Sequence, residues 1–200
     1  MKSNRVRVLL AVAAAAVALT ACSPSQVGAA AVVGGERISS GELNGHVEAV
    51  RREAKAAGID LSQAQALPAK LPQTVLHHMV FILQAEKVAA RDGIAVTDSE
   101  IDAQIRRYEE AYNTTFDKLA ASAAIPQDLA RDWVRARVIQ TKIAPRLGIT
   151  GQTSDEEALA KFDKELSAAA PVTWSPRYGA RAGLDGTFTM PERFGAADKG

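Results

Sequence analysis

Few residues in this chain of 200 stand at spacings that could do chemistry. His77-His78 invites a metal reading, and His46 is the one other histidine. Neighbours on a helix project about 100° apart, so the pair cannot close on one ion without outside ligands. No cluster of Cys, His and carboxylates lies near in sequence to supply them. Asp98, Glu100 and Asp102 could suggest an acid–base pair. They fall at a helix start, where carboxylates complement the positive end of the helix dipole. A hydrolase needs a nucleophile, a base and an orienting group, and no Gly-x-Ser-x-Gly elbow occurs. Gly34-Gly35 lacks both the spacing and the lysine of a phosphate loop. The sequence therefore assigns no catalytic, cofactor-binding or metal residue, and the chain reads as a non-enzyme.

One residue does carry covalent chemistry. Leu19-Thr20-Ala21-Cys22 has the form of a bacterial lipobox and ends on the only cysteine in the chain. Before it stand Lys2, Arg5 and Arg7, then an uncharged apolar run from Val8 to Leu19. A basic start, a short apolar run and small residues at the cut are the parts of a secretory signal. The run is shorter than the roughly 20 apolar residues of a membrane-spanning helix. In lipoproteins with this pattern the thiol takes a diacylglyceryl group, and cleavage leaves Cys22 as an acylated N-terminus. The expected location is the cell membrane, lipid-anchored on its extracytoplasmic face. The lipid on Cys22 is the one attached group the sequence implies; no cofactor is expected.

Aromatic side chains are the other resource. Tyr108, Tyr112, Phe116 and Trp133 are the candidates for a surface that takes up apolar segments. Helical spacing favours core packing for all four; the alternative is a groove between helices.

These residues need elements to position them. Ser39-Ser40-Gly41-Glu42 and Thr97-Asp98-Ser99-Glu100 are capping boxes. Behind the first, Leu43, Val47, Val50 and Ala54 share a helix face, and Gly58 ends it. A helix from about Pro72 to Arg91 carries a wide apolar face and reads as central. Ile101, Ile105, Tyr108 and Tyr112 line a third helix. Phe116 to Ala123 is a short amphipathic piece. A further helix is expected from Ile125-Pro126 to about Ala144, with Leu129, Trp133, Ala136 and Ile143 inward. The last is expected to start near Asp155, with Leu159, Phe162, Leu166 and Ala169 as its stripe. Val32-Val33 and Val172-Thr173-Trp174 read as short strands, and Gly34-Gly35 as a turn.

Composition sets the class. The chain carries a formal +1, with 24 basic and 23 acidic residues. Without Lys2, Arg5 and Arg7 the balance is −2. No basic stripe or aromatic platform points to nucleic acid. With its sole cysteine committed to lipid, the domain folds without disulfides. Abundant alanine and few aromatics favour helices. The expected layout is a signal peptide over 1–21, a lipidated tether over 22–31, a helical domain over 32–178 and a weakly ordered tail over 179–200.

The valine strand, Gly-Gly turn, Ile38, serine cap, Glu42 and Leu43 together resemble the opening of the SurA N-terminal domain. Thr97-Asp98-Ser99-Glu100-Ile101, placed after a long helix ending at Gly93-Ile94, resembles that family's next element. Val172-Thr173-Trp174-Ser175-Pro176-Arg177-Tyr178-Gly179 is similar to the terminal strand of short, actinobacterial-type lipoproteins of the family. The resemblance implies a mainly α fold of about five helices, with N- and C-terminal strands lying close enough to pair. It implies an extracytoplasmic chaperone that binds exported unfolded polypeptides without ATP. The alternative is a structural lipoprotein that grips one cell-envelope partner. The prolyl isomerase domain of many members has no room between the helices at 98–112 and 126–144, so isomerase activity is not carried over.

Overall fold

The computed structural model describes residues 27–61, 70–181 and 188–189. Cys22 and the signal segment lie outside them. The first strand, β1 (Ala29–Val33), turns through Gly34 and Gly35 into β2 (Glu36–Ser39). Both glycines hold positive φ, +54° and +88°, the left-handed pair that a two-residue hairpin turn requires. The other edge of β1 takes β3 (Val172–Trp174) antiparallel, with Val33 opposite Val172 and Ala31 opposite Trp174. The chain ends expected to lie close are thus neighbours in one three-stranded sheet, ordered β2-β1-β3. Gly34 N–H reinforces the closure by donating to Pro171 O at 2.9 Å.

Six α-helices follow the hairpin among the described residues: α1 (Ser40–Ala56), α2 (Leu71–Asp92), α3 (Asp98–Tyr112), α4 (Phe116–Ser122), α5 (Ala130–Ile143) and α6 (Asp155–Ala169). Both expected capping boxes form, Ser39 with Glu42 and Thr97 with Glu100. Gly58 and Gly93, at φ +69° and +65°, close α1 and α2. Between α3 and α5 the chain holds only α4 and a 3₁₀ turn at Gln127–Leu129.

Helix α2 is the axis. Val75, Leu76 and Val80 pack under the sheet with Val33, Ile38, Leu43 and Val50. Farther along, Ile82 and Val88 meet Ile139 and Ile143 of α5 and Leu166 of α6. A third cluster joins Ile101, Phe116, Ile125, Val134 and Val138 beneath α3 and α4. The width of the α2 apolar face follows from its packing against several neighbours at once.

Four expectations change. The tether assigned to 22–31 stops earlier, because Ala29, Ala30 and Ala31 are buried in β1. Alanine side chains are small enough to lie directly under α2. The helix expected from Pro126 begins at Ala130, since the chain first makes a 3₁₀ turn after Pro126. Of its expected inward residues Ala136 and Ile143 are buried, together with Val134, Val138 and Ile139, whereas Trp133 is only half-buried, packed against two core clusters from the side. Within the segment read as a tail, β4 (Ala180–Arg181) pairs antiparallel with β5 (Phe188–Thr189), and Phe188 stands edge-on to Trp174 at 5.2 Å. The rest of that segment, 182–187 and 190–200, lies outside the described residues.

Candidate functional site

Helices α5 and α6 both pack on α2, but α6 does not pack closely on α5. Two adjoining hollows open between them, of about 140 and 510 Å³. Arg137, Gln140, Leu159 and Phe162 line both, so they form one continuous groove. Each helix contributes a line of residues at helical spacing: His77, Phe81 and Gln84 from α2, Trp133, Arg137 and Gln140 from α5, Leu159, Phe162 and Leu166 from α6.

The groove is held open from one end. Arg91 and Arg146 clasp Asp92 and Glu165, with Arg146 at 2.7 Å from Asp92 and 2.9 Å from Glu165. Arg91 bonds Asp92 at 2.8 Å and also reaches Glu165. The paired guanidinium of Arg91 holds the Asp92 carboxyl below its ordinary range. This network pins the C-terminal half of α6 to the end of α2. Leu166 is buried there, whereas Leu159, two turns earlier, is 40% exposed. The α6 stripe read as core is therefore core at one end and groove wall at the other.

Trp133 is the hub of the site. It meets His78 at 6.3 Å, Phe81 at 6.5 Å and Tyr108 at 6.1 Å between ring centroids. Such tilted and edge-on ring pairs contribute beyond their buried area. Arg137 lies over its face, 5.4 Å from the ring centroid. Tyr108 passes the contact on to Phe116, stacked at 6.3 Å. His78 Nε2 donates to Ala123 O at 2.9 Å, since a carbonyl only accepts. Burial pushes the His78 pKa down to about 4; the bond to Ala123 opposes this and the Arg137 charge adds to it. His78 is thus a neutral wall of the groove at pH 7.

Of the four aromatic candidates, the structure brings three together and leaves one apart. Trp133 and Tyr108 are half-buried and line the groove. Phe116 is buried behind them, its N–H donating to Glu109 Oε1 at 2.9 Å. Tyr112 is 66% exposed at the end of α3 and does not line the groove. His78, Phe81, Arg137, Leu159 and Phe162 were missed as a site. The signal was present at positions 133, 137 and 140, an aromatic–basic–amide line that is not an apolar stripe. His46 lies elsewhere, 3.3 Å from Asp128. No group of three or more potential metal ligands occurs among the described residues.

The domain is thus helical, closed by a strand clasp, and carries an aromatic-floored groove with a few polar groups on its walls. The chain belongs to the SurA-like N-terminal domain family, whose model matches residues 1–144. The match takes in α1 to α5 and the β1–β2 hairpin; α6 and β3 follow it. No curated protein and no solved structure matches the chain.

Proposed function

We propose that this protein is an extracytoplasmic lipoprotein, anchored through lipid on Cys22, that binds unfolded segments of exported polypeptides without ATP and without a covalent step. The observation that carries this reading is the Trp133-centred groove. Its aromatic floor offers apolar contact, and its walls offer Gln140 and Arg137 for backbone and side-chain polar groups. An unfolded segment presents that mixture, and an open groove between helices can take an extended chain. Family membership supports a chaperone-like role, because such domains bind polypeptide.

The test uses the full chain carrying Cys22→Ser, which keeps the lipid out of the assay. It is added to two unrelated unfolded proteins, and aggregation is followed by light scattering. The expected result is slowed aggregation of both. Trp133→Ala removes most of the effect. Leu159→Asp, at an exposed edge that leaves the core untouched, removes much of it as well. Slowing of neither protein, or full activity in both variants, overturns the reading and turns the search to one dedicated envelope partner.

A further inference from the structure

Among the described residues Arg51, Arg91, Arg131 and Arg146 each meet a carboxylate. Several other arginines do not, and of these Arg137 is the one that lines the groove. It is half-buried, it lines both hollows of the groove, and it makes no ion pair among the described residues. Its Nη1 donates to Gln140 Oε1 at 2.8 Å, and its plane lies over Trp133. A guanidinium carries five N–H donors, so that one bond leaves most of its donors unused. The cation–π contact with the indole holds the guanidinium in place and lowers the entropy lost when a carboxylate arrives. Taking a cation partly out of water without a counter-ion costs free energy, which a bound anion recovers.

We propose that Arg137 makes the groove selective for extended segments in which one acidic side chain stands one or two residues from an aromatic or leucine side chain. This deepens the polypeptide-binding reading above and rests on it. The carboxylate meets Arg137 at the junction of the two hollows, and the neighbouring apolar side chain packs on Leu159, Phe162 and Trp133. Asp155 also lines the second hollow, so one acid beside Arg137 is favoured over a run of acids.

The experiment titrates the full chain carrying Cys22→Ser into dye-labelled peptides, read by fluorescence anisotropy. The peptides share one Leu- and Phe-containing sequence, end in an amide, and carry Glu, Gln or Lys at one position. The expected result is a Kd for the Glu peptide about ten-fold below that for the Gln peptide, the scale of one charge-assisted bond. Arg137→Gln abolishes that difference, so that the Glu and Gln peptides bind alike whatever the change in their common affinity. Arg137→Lys keeps part of it, because the charge remains while the planar fork is lost. Equal binding of the three peptides overturns the selectivity and leaves polypeptide binding standing. So does equal weakening of all three by Arg137→Gln, which would make Arg137 only a support for Trp133. Tighter binding of the Lys peptide, or a preference that appears only for a free C-terminal carboxylate, also overturns it. Binding of no peptide by the unsubstituted groove overturns both readings together.

Discussion

His78 shows what one enclosed side chain does to the behaviour of the domain. Its folded pKa lies near 4, against 6.5 for the free ring. Above pH 6.5 the ring is neutral in both states and contributes nothing to pH dependence. As pH falls through that value the unfolded chain takes up a proton that the folded chain refuses. The unfolded state then binds more protons, so stability falls with falling pH down to about 4. The loss is about 2 kcal/mol between pH 7 and 4.5. His78→Gln keeps a donor near Ala123 O and removes the titration. It is expected to flatten this part of the pH profile, measured by urea unfolding at pH 7 and 4.5; an unchanged slope would assign the acid sensitivity to other groups. The site was only partly legible at this scale. Tyr108, Phe116 and Trp133 were named from residue type. Their partners were not, because His78 and Phe81 sit on the face of α2 next to its apolar stripe, and Arg137 breaks the stripe of α5. Side chains that share a groove come from three helices, and no local spacing joins them.

At the level of elements, α2 does more than fill the core. Two of its buried side chains are glutamines, Gln73 and Gln84. Eleven residues is close to three turns, so they lie on one face, about 16 Å apart. Gln73 Nε2 donates to Tyr178 O at 2.8 Å, and Gln84 Nε2 donates to Ala170 O at 2.8 Å. These two amides hold the stretch that carries β3 on either side of the strand. A buried carbonyl that loses its partner costs about 1–3 kcal/mol. Gln84→Leu is therefore expected to lower the unfolding free energy by that amount and to speed amide exchange in β3. A denaturation midpoint equal to that of the unsubstituted chain would sink the argument. The strands, caps and helix order were legible because each has a local cause: the paired left-handed glycines, the Ser39–Glu42 and Thr97–Glu100 boxes, the glycine stops. The pairing of β3 with β1 followed from family resemblance. Its anchors were not legible, since a glutamine inside an apolar helix announces nothing about a carbonyl 86 or 105 positions away. The start of α5 was misplaced for a related reason. Proline at 126 suits a first helical turn, but the chain spends it on a 3₁₀ turn that buries Ile125 and Pro126.

For the molecule as a whole, the proposed membrane location is what can be tested. No helix among the described residues is long and apolar enough to cross one. Without its first basic residues the chain has a balance of −2, so attraction to an anionic surface is weak. The proposed anchor is the lipid on Cys22. Each buried CH₂ contributes about 0.8 kcal/mol, and more than one acyl chain makes the anchor stable. The geometry adds a limit. Ser23 to Gly28 is all that separates Cys22 from the buried start of β1, and six residues reach at most about 20 Å. If the proposed lipid is in place, the sheet end of the domain is the end held near the bilayer. Salt distinguishes this from surface adsorption. High salt is expected to leave the unsubstituted protein in the membrane fraction, because a lipid anchor is not screened. Cys22→Ser is expected to move it to the soluble fraction, with an unchanged melting temperature and an unchanged groove affinity. Cell fractionation and intact-protein mass spectrometry check both. Membrane location and mass unaffected by the substitution would remove Cys22 as the anchor.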